Sequence, residues 1–295
     1  MRRVAEYSLP PPPPRPGWRD GVDVLSLFLV GAATLGLAVG VGLTLVWGQN
    51  FDHRVWRSFR ADRFEQGGIE ELLHTIEVGP VLVITVLTSV AALAQRHWRL
   101  ALAIPFFVIG ANQSTQLLKS SVLTRGAGGP DLAVSMPSGH ATMALTLAIA
   151  VVLASPRLLR PLASLIGGVA AGFGGLGTMA ERWHRPGDVI AAVGIVLLWA
   201  ALALAVAGQW QRPRIRAAGF DRAVGHVALA VVGVGIAAYQ LHRMGMGPMP
   251  GSRAHTLVYG SVLVVGTLIG AGIGLCALVA DRHLHRGYRQ GPRDA

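Results

Sequence analysis

Residues 135–154 read SMPSGHATMALTLAIAVVLA. From Ala141 onward the stretch is uncharged and almost wholly apolar, while a proline, a serine, a glycine and a histidine stand in front of it. An apolar run that opens on an N-cap serine reads as a helix, and a helix with no polar face has nothing to offer water. Such a helix sits in a membrane or in the middle of a bundle, here with a histidine at its threshold.

The rest of the chain decides for the membrane. Of 295 residues 52% are hydrophobic and only 14% charged, and the mean hydropathy is +0.49, outside the range of an ordinary soluble domain. Charge-poor runs occupy 22–47, 72–94, 100–118, 139–154, 161–180, 188–208, 223–241 and 256–280, most of them near the ~20 residues needed to cross hydrocarbon. The predicted fold class is therefore all-α: a polytopic transmembrane helix bundle of about eight spans, six forming a core and two following at the C-terminus.

The predicted organisation has four parts. Residues 1–20 contain LPPPPPRPGW, which favours a disordered, polyproline-type cytoplasmic tail. Residues 21–208 form the membrane core, 209–281 the two additional helices, and 282–295 a basic cytoplasmic tail. The first apolar run exceeds the h-region of a cleaved signal, so it reads as a retained anchor. The stretch NFDHRVWRSFRADRFEQGG at 50–68 mixes arginine with Val55, Trp56, Phe59 and Phe64, which suits an interfacial helix capping the bundle. Gly36/Gly40 and Gly266/Gly270/Gly274 have the spacing that lets helix backbones approach closely.

The net charge of +11 does not point to nucleic acid, because the arginines are scattered through short loops with no groove-reading helix or stacking platform. They orient the spans instead. With the N-terminus inside, most basic residues, Arg160 among them, fall in cytoplasmic segments, so both termini are expected in the cytoplasm of a multi-pass, bacterial plasma-membrane protein. Trp18, Trp47, Trp98, Trp183 and Trp210 lie near span ends and Trp199 within a span. The single cysteine, Cys276, allows no intrachain disulfide and reads as apolar filler.

Ionisable groups at membrane depth are expensive and invite a functional reading. The third span ends in GANQSTQLLKSSVLTRG, where Asn112, Thr115, Gln116 and Lys119 share one helix face and lead to the sole lysine of the chain; Arg125 follows. The second group is Pro137-Ser138-Gly139-His140, where a helix N-terminus and a glycine make a place for an oxyanion. The third is ERWHRPGD at 181–188, where Asp188 stands four residues after His184 and can hold its imidazole in one tautomer. The span count puts all three on the outer side. Together they supply a nucleophile, an acid and a clamp for phosphoryl charge.

These residues resemble the type 2 phosphatidic acid phosphatase (PAP2) superfamily, integral-membrane branch, over roughly residues 70–208. PSGH at 137–140 matches its middle motif. Lys119 with Arg125 corresponds to the first motif, although Gly126 stands where the family has proline, and His184 with Asp188 closes the third. The serine-arginine pair that opens the third motif would fall on Gly177 and Thr178. The resemblance implies that His184 attacks phosphorus to form a phosphohistidine and Asp188 orients it. His140 would protonate the leaving oxygen, and Lys119, Arg125, Ser138 and Gly139 would bind phosphate. It implies no metal and no cofactor. The substrate would be a lipid phosphate or diphosphate, reached from the outer leaflet.

Other readings share the same residues: a polyprenyl-diphosphate phosphatase, a lipid phosphotransferase, or a catalytically impaired membrane protein of binding or structural role. A serine hydrolase fits poorly because Ser138 is not in G-x-S-x-G, and a zinc site of His140, His184 and Asp188 leaves the cations unexplained. Arg182, one turn further along the same face if that helix continues, is a candidate to supply the arginine absent at Thr178; the alternative is that Arg182 or Arg185 only meets lipid headgroups. Membrane lipids are the expected partners, and the oligomeric state stays open.

Overall fold

A computed structural model of the protein describes residues 19–59, 78–124, 126–129, 134–208, 220–245 and 255–284. Among these residues the chain is all-helical: α1 (Arg19–Val39), α2 (Val46–Ser58), α3 (Val78–Ala94), α4 (Trp98–Leu117), α5 (Gly139–Ala154), α6 (Arg160–Ala180), α7 (Pro186–Gly208), α8 (Phe220–Arg243) and α9 (His255–His283). A π-helical turn extends α1 over Gly40–Thr44, and another extends α4 over Leu118–Val122. The proline-rich segment, Phe64, Arg125 and the C-terminal tail lie outside the described residues.

Six of these helices are long and apolar enough to cross a membrane: Val22–Thr44, Trp98–Val122, Arg160–Ala180, Pro186–Ala207, Val224–Arg243 and His255–Arg282. Gly79–Ala94 and Gly139–Ala154 are apolar but shorter. All eight correspond to the runs expected from the sequence, and the fold is a polytopic helical bundle.

The uniformly apolar α5 is buried along most of its length, from Ala141 to Ala154, between α4, α6 and α7. Helices on the outside differ. In α3, Leu82, Val83, Val86, Leu87 and Val90 are exposed, as a face turned to hydrocarbon should be. A helix forms over the first part of the stretch expected to be interfacial: α2 buries Val55 and exposes Arg54 and Arg57, and Phe59 just past its end is buried too.

Gly270 and Gly274 bring α9 onto α8, where an added Cβ would lie 2.7 Å and 2.5 Å from Val231 and Val227. Gly36 and Gly40 correct the expectation made for them, since nothing lies within 4 Å of either. The close approach of α1 uses Gly31 instead, against Gly194 and Leu198 of α7.

Arg160 is a second correction. Read as a loop charge, it is 2% exposed and forms an ion pair with Asp281 of α9. Its Nε and Nη2 donate to the carbonyls of Val152 and Ser155 at 3.2 and 2.9 Å. His226 of α8 joins the other Asp281 oxygen at 3.0 Å. A charge survives at this depth only when its partners replace water. This cluster therefore fastens α8 and α9 to α6. Removing one partner of such a buried pair costs about 3–5 kcal/mol, whereas replacing both by apolar groups costs far less. Asp281→Ala is accordingly expected to lower the midpoint of thermal unfolding in detergent strongly, and the double variant Arg160→Met, Asp281→Leu to recover much of the loss.

Candidate active site

Two helix starts meet at one end of the bundle. Ser138 caps α5 in the usual way: its backbone is extended and its Oγ accepts from Ala141 N–H at 3.3 Å. Its own N–H donates to the Asp188 carbonyl at 3.0 Å. That bond ties the loop before α5 to the first turn of α7.

Asp188 organises the rest. It is 1% exposed, and its Oδ2 accepts from His184 Nδ1 at 3.3 Å, from the Arg185 backbone N–H at 3.0 Å and from Ser135 Oγ at 2.5 Å. The bond to Arg185 N–H is a capping-box contact, with Pro186 at the first helical position, where its missing N–H costs nothing. The bond to His184 leaves Nε2 as the nitrogen with a lone pair to give. Asp188 thus caps a helix and orients an imidazole with the same oxygen.

His184 is placed by the end of α6. Arg182 N–H donates to the Met179 carbonyl and Trp183 N–H to the Thr178 carbonyl, both at 3.0 Å, and Arg182 has φ +58°. This is a Schellman ending with arginine where glycine is usual. The Thr178 carbonyl also accepts from His184 N–H at 3.0 Å. Thr178 thereby fixes the His184 backbone while its own hydroxyl bonds back to Gly175.

The helix does not continue to Arg182, so the shared face expected for Arg182 and Thr178 is not formed. The Arg182 guanidinium lies 4.4 Å from the centre of the Trp56 ring, and Trp56 Nε1 donates to the Arg182 carbonyl. The arginine next to the site is Arg185. It is 7% exposed, its Nη1 donates to Ser135 Oγ at 3.4 Å, and its Nε is buried without a hydrogen-bond partner. No motif marked it. The one available signal was its place directly after His184.

His140 opens α5 and is half-buried, with its ring 5.3 Å from that of Trp183. Trp183, expected at the headgroup level, therefore packs inside the site. The polar face of α4 also turns toward α5. Thr115 and Thr142 hydroxyls are 3.0 Å apart, and a methyl group added at Gly139 would lie 3.3 Å from Gln116 Nε2. With a rise of 1.5 Å per residue, Lys119 lies about 6 Å beyond Thr115, and the Ser138 cap lies about 6 Å beyond Thr142. Lys119 is thus level with the start of α5. Asn112 bonds back to its own helix at Val108.

The start of α7 has a further acid that the sequence reading passed over. Asp52 of α2 is buried and accepts from Gly187 N–H at 3.2 Å. A Cβ at Gly187 would fall 2.4 Å from Asp52 Oδ2, so only glycine admits this contact. Among the described residues no cluster of three or more His, Cys, Asp or Glu side chains is placed to hold a metal ion.

PSGH, His184 and Asp188 lie within a segment that matches a known family. Residues 81–212 match the family model of the PAP2 superfamily. That part of the chain is similar to the PAP2 superfamily. It contains Lys119, Ser138, Gly139, His140, His184, Arg185 and Asp188, and it stops before α8 and α9. No curated protein and no solved structure matches the chain.

The left-handed Arg182 yields a test of this local geometry. A non-glycine residue there costs about 1–2 kcal/mol. Arg182→Ala loses the Trp56 contact and keeps that cost, whereas Arg182→Gly loses the contact and removes the cost. The glycine variant is expected to unfold at a higher temperature than the alanine variant by the equivalent of about 1 kcal/mol; equal midpoints would show that backbone strain does not govern this turn.

Proposed function

We propose that the chain is a membrane-embedded phosphatase of lipid phosphates or diphosphates, with residues 21–208 as its catalytic core. The observation that carries this reading is the His184–Asp188 pair, held at 3.3 Å beside the Ser138-capped start of α5. His184 Nε2 attacks phosphorus while Nδ1–H stays bonded to Asp188. The bond from phosphorus to the leaving oxygen breaks, and that oxygen takes a proton from His140. Water then attacks phosphorus with His140 receiving its proton, the P–N bond breaks, and inorganic phosphate leaves.

Charge on the phosphoryl oxygens is met by the first-turn N–H groups of α5, by Lys119 and by Arg185, with Arg125 as a further sequence-based candidate. Two helices start here, but the start of α7 is occupied by the carboxylates of Asp52 and Asp188. An anion is therefore better received by α5, where Gly139 allows close approach. Arg185 takes the part that Arg182 was expected to play: it is buried next to His184, while Arg182 is stacked on Trp56.

Phosphate release by purified protein, measured with phosphatidate, phosphatidylglycerol phosphate and polyprenyl diphosphates, tests the mechanism. His184→Ala is expected to abolish release from whichever lipid is used. Arg185→Ala should reduce turnover about 10²- to 10³-fold, the usual cost of losing a transition-state clamp, and Arg182→Ala should stay near normal. Activity should persist in EDTA; loss that zinc or magnesium restores would require a metal mechanism. The reverse order of the two arginine variants would return the clamp to Arg182.

We also place the site on the outer side of a bacterial plasma membrane with both termini inside, on the arginine distribution. In a Cys276→Ser background, cysteine introduced by Met244→Cys should react with an impermeant thiol reagent in intact cells, and cysteine introduced by Leu158→Cys should not. The opposite pattern would put the site in the cytoplasm.

A further inference from the structure

A cavity of about 510 Å³ lies between the outer-end halves of α1 and α9, beneath α2. Leu37 and Val41 of α1, Phe51 of α2, and Leu257 and Val264 of α9 form its walls, and it ends against Pro186 and Gly187 of α7. Two of its polar groups are already engaged. Ser261 Oγ donates to the Leu257 carbonyl at 2.8 Å, and Asp52 Oδ1 is bound to Gly187 N–H. At the other end of the bundle α1 and α9 are joined by Arg282 and Asp23 at 2.7 Å. The two helices are thus clasped at one end and part around the cavity at the other.

We propose that this crevice receives the hydrocarbon chain of the lipid whose phosphate is cleaved at His184, so that α9, which lies outside the family match, forms a chain-binding subsite. The inference rests on the phosphatase reading given above. Two observations select this occupant. The lining is apolar, and Leu37 and Val264 are exposed to the surrounding hydrocarbon, so a chain can slide in sideways without passing through water. It also ends at Pro186 and Gly187, one and two residues after Arg185, so a chain held there brings its headgroup to the loop that carries His184 and Arg185.

The transfer of a chain from lipid to an apolar crevice gains little free energy, because both surroundings are apolar. The subsite therefore acts by fixing where the phosphate sits, and 1 Å of misplacement can cost about 10²-fold in rate. Its loss should be visible only for substrates that have a chain to place.

Gly260 lines the crevice and an added Cβ there meets nothing within 4 Å, so Gly260→Phe has room to leave the backbone and adds bulk at the crevice, and Gly260→Ala serves as control. For Gly260→Phe, kcat/KM for dioleoyl phosphatidate is expected to fall at least about tenfold, while that for the chainless para-nitrophenyl phosphate stays within about twofold. Equal effects on both substrates, or on neither, would overturn the proposal.

A second readout does not depend on turnover. A phosphatidate with a diazirine at the end of one acyl chain should cross-link to residues of α1, α2 or α9 that line the crevice. Gly260→Phe should abolish the adduct, and unlabelled phosphatidate should displace it better than diacylglycerol. Adducts on the outer faces of α3 and α4 that Gly260→Phe leaves unchanged would exclude the subsite. Displacement by diacylglycerol and phosphatidate alike would show a structural lipid instead and equally overturn it. Crevice labelling displaced by phosphatidate in a protein that releases no phosphate would retain the subsite and reject the phosphatase reading.

Discussion

One carboxylate oxygen holds together the loop before α5, the end of α6 and the start of α7. Asp188 Oδ2 accepts from Ser135, from His184 and from the Arg185 backbone, and the Asp188 carbonyl accepts from Ser138 N–H. A carboxylate 1% exposed at the edge of a hydrocarbon layer must find its donors within the protein, and charged hydrogen bonds of this kind are about twice as strong as neutral ones. The need to satisfy one buried charge is what brings the cap serine, the histidine and the arginine into one place. Its geometry constrains both the His184 imidazole and the Ser138-capped start of α5.

The same constraint operates at the opposite end with a different result. Arg160, Asp281 and His226 satisfy each other and two backbone carbonyls, but they lie on α6, α9 and α8, one on each. The cluster therefore binds helices rather than presenting a reactive group. The two C-terminal helices are held to a family core that ends before them, with small residues on α9 letting it close on α8. Polar chemistry in the bundle is divided between a reactive end and a fastening end.

The parts of this architecture that follow from neighbours in the chain were legible in the sequence. The eight apolar runs, the serine cap of PSGH, the four-residue spacing of His184 and Asp188, and the polar face leading to Lys119 all depend on local periodicity. What could not be read depends on contacts between distant segments. Arg160 and Arg185 look like loop charges until Asp281 and Ser135 are placed beside them, and Asp52 belongs to a helix that reads as merely interfacial. Arg182 was misplaced for another reason: glycine and asparagine are the usual signals of a Schellman ending, and this chain ends α6 with arginine in the left-handed conformation. The small-residue spacing of Gly36 and Gly40 was misleading because spacing shows that a helix can be approached, not that a neighbour is there.

The two helix starts at the site explain why the reactive groups are divided as they are. Each start presents backbone N–H groups with a partial positive charge, and each could receive either a carboxylate of the protein or a phosphate. The start of α7 is filled from within by Asp52 and Asp188, which keeps phosphate away from it. Those two carboxylates also make the flanking loop a place where a guanidinium is favourable, and Arg185 stands in that loop. The start of α5 has a neutral serine cap and no carboxylate bonded to it among the contacts described, and glycine follows. In the proposed mechanism an incoming dianion would be drawn toward α5 and the Arg185 guanidinium, and repelled from the first turn of α7. Phosphorus would then lie on the side of the His184 imidazole opposite Asp188, where Nε2 could reach it.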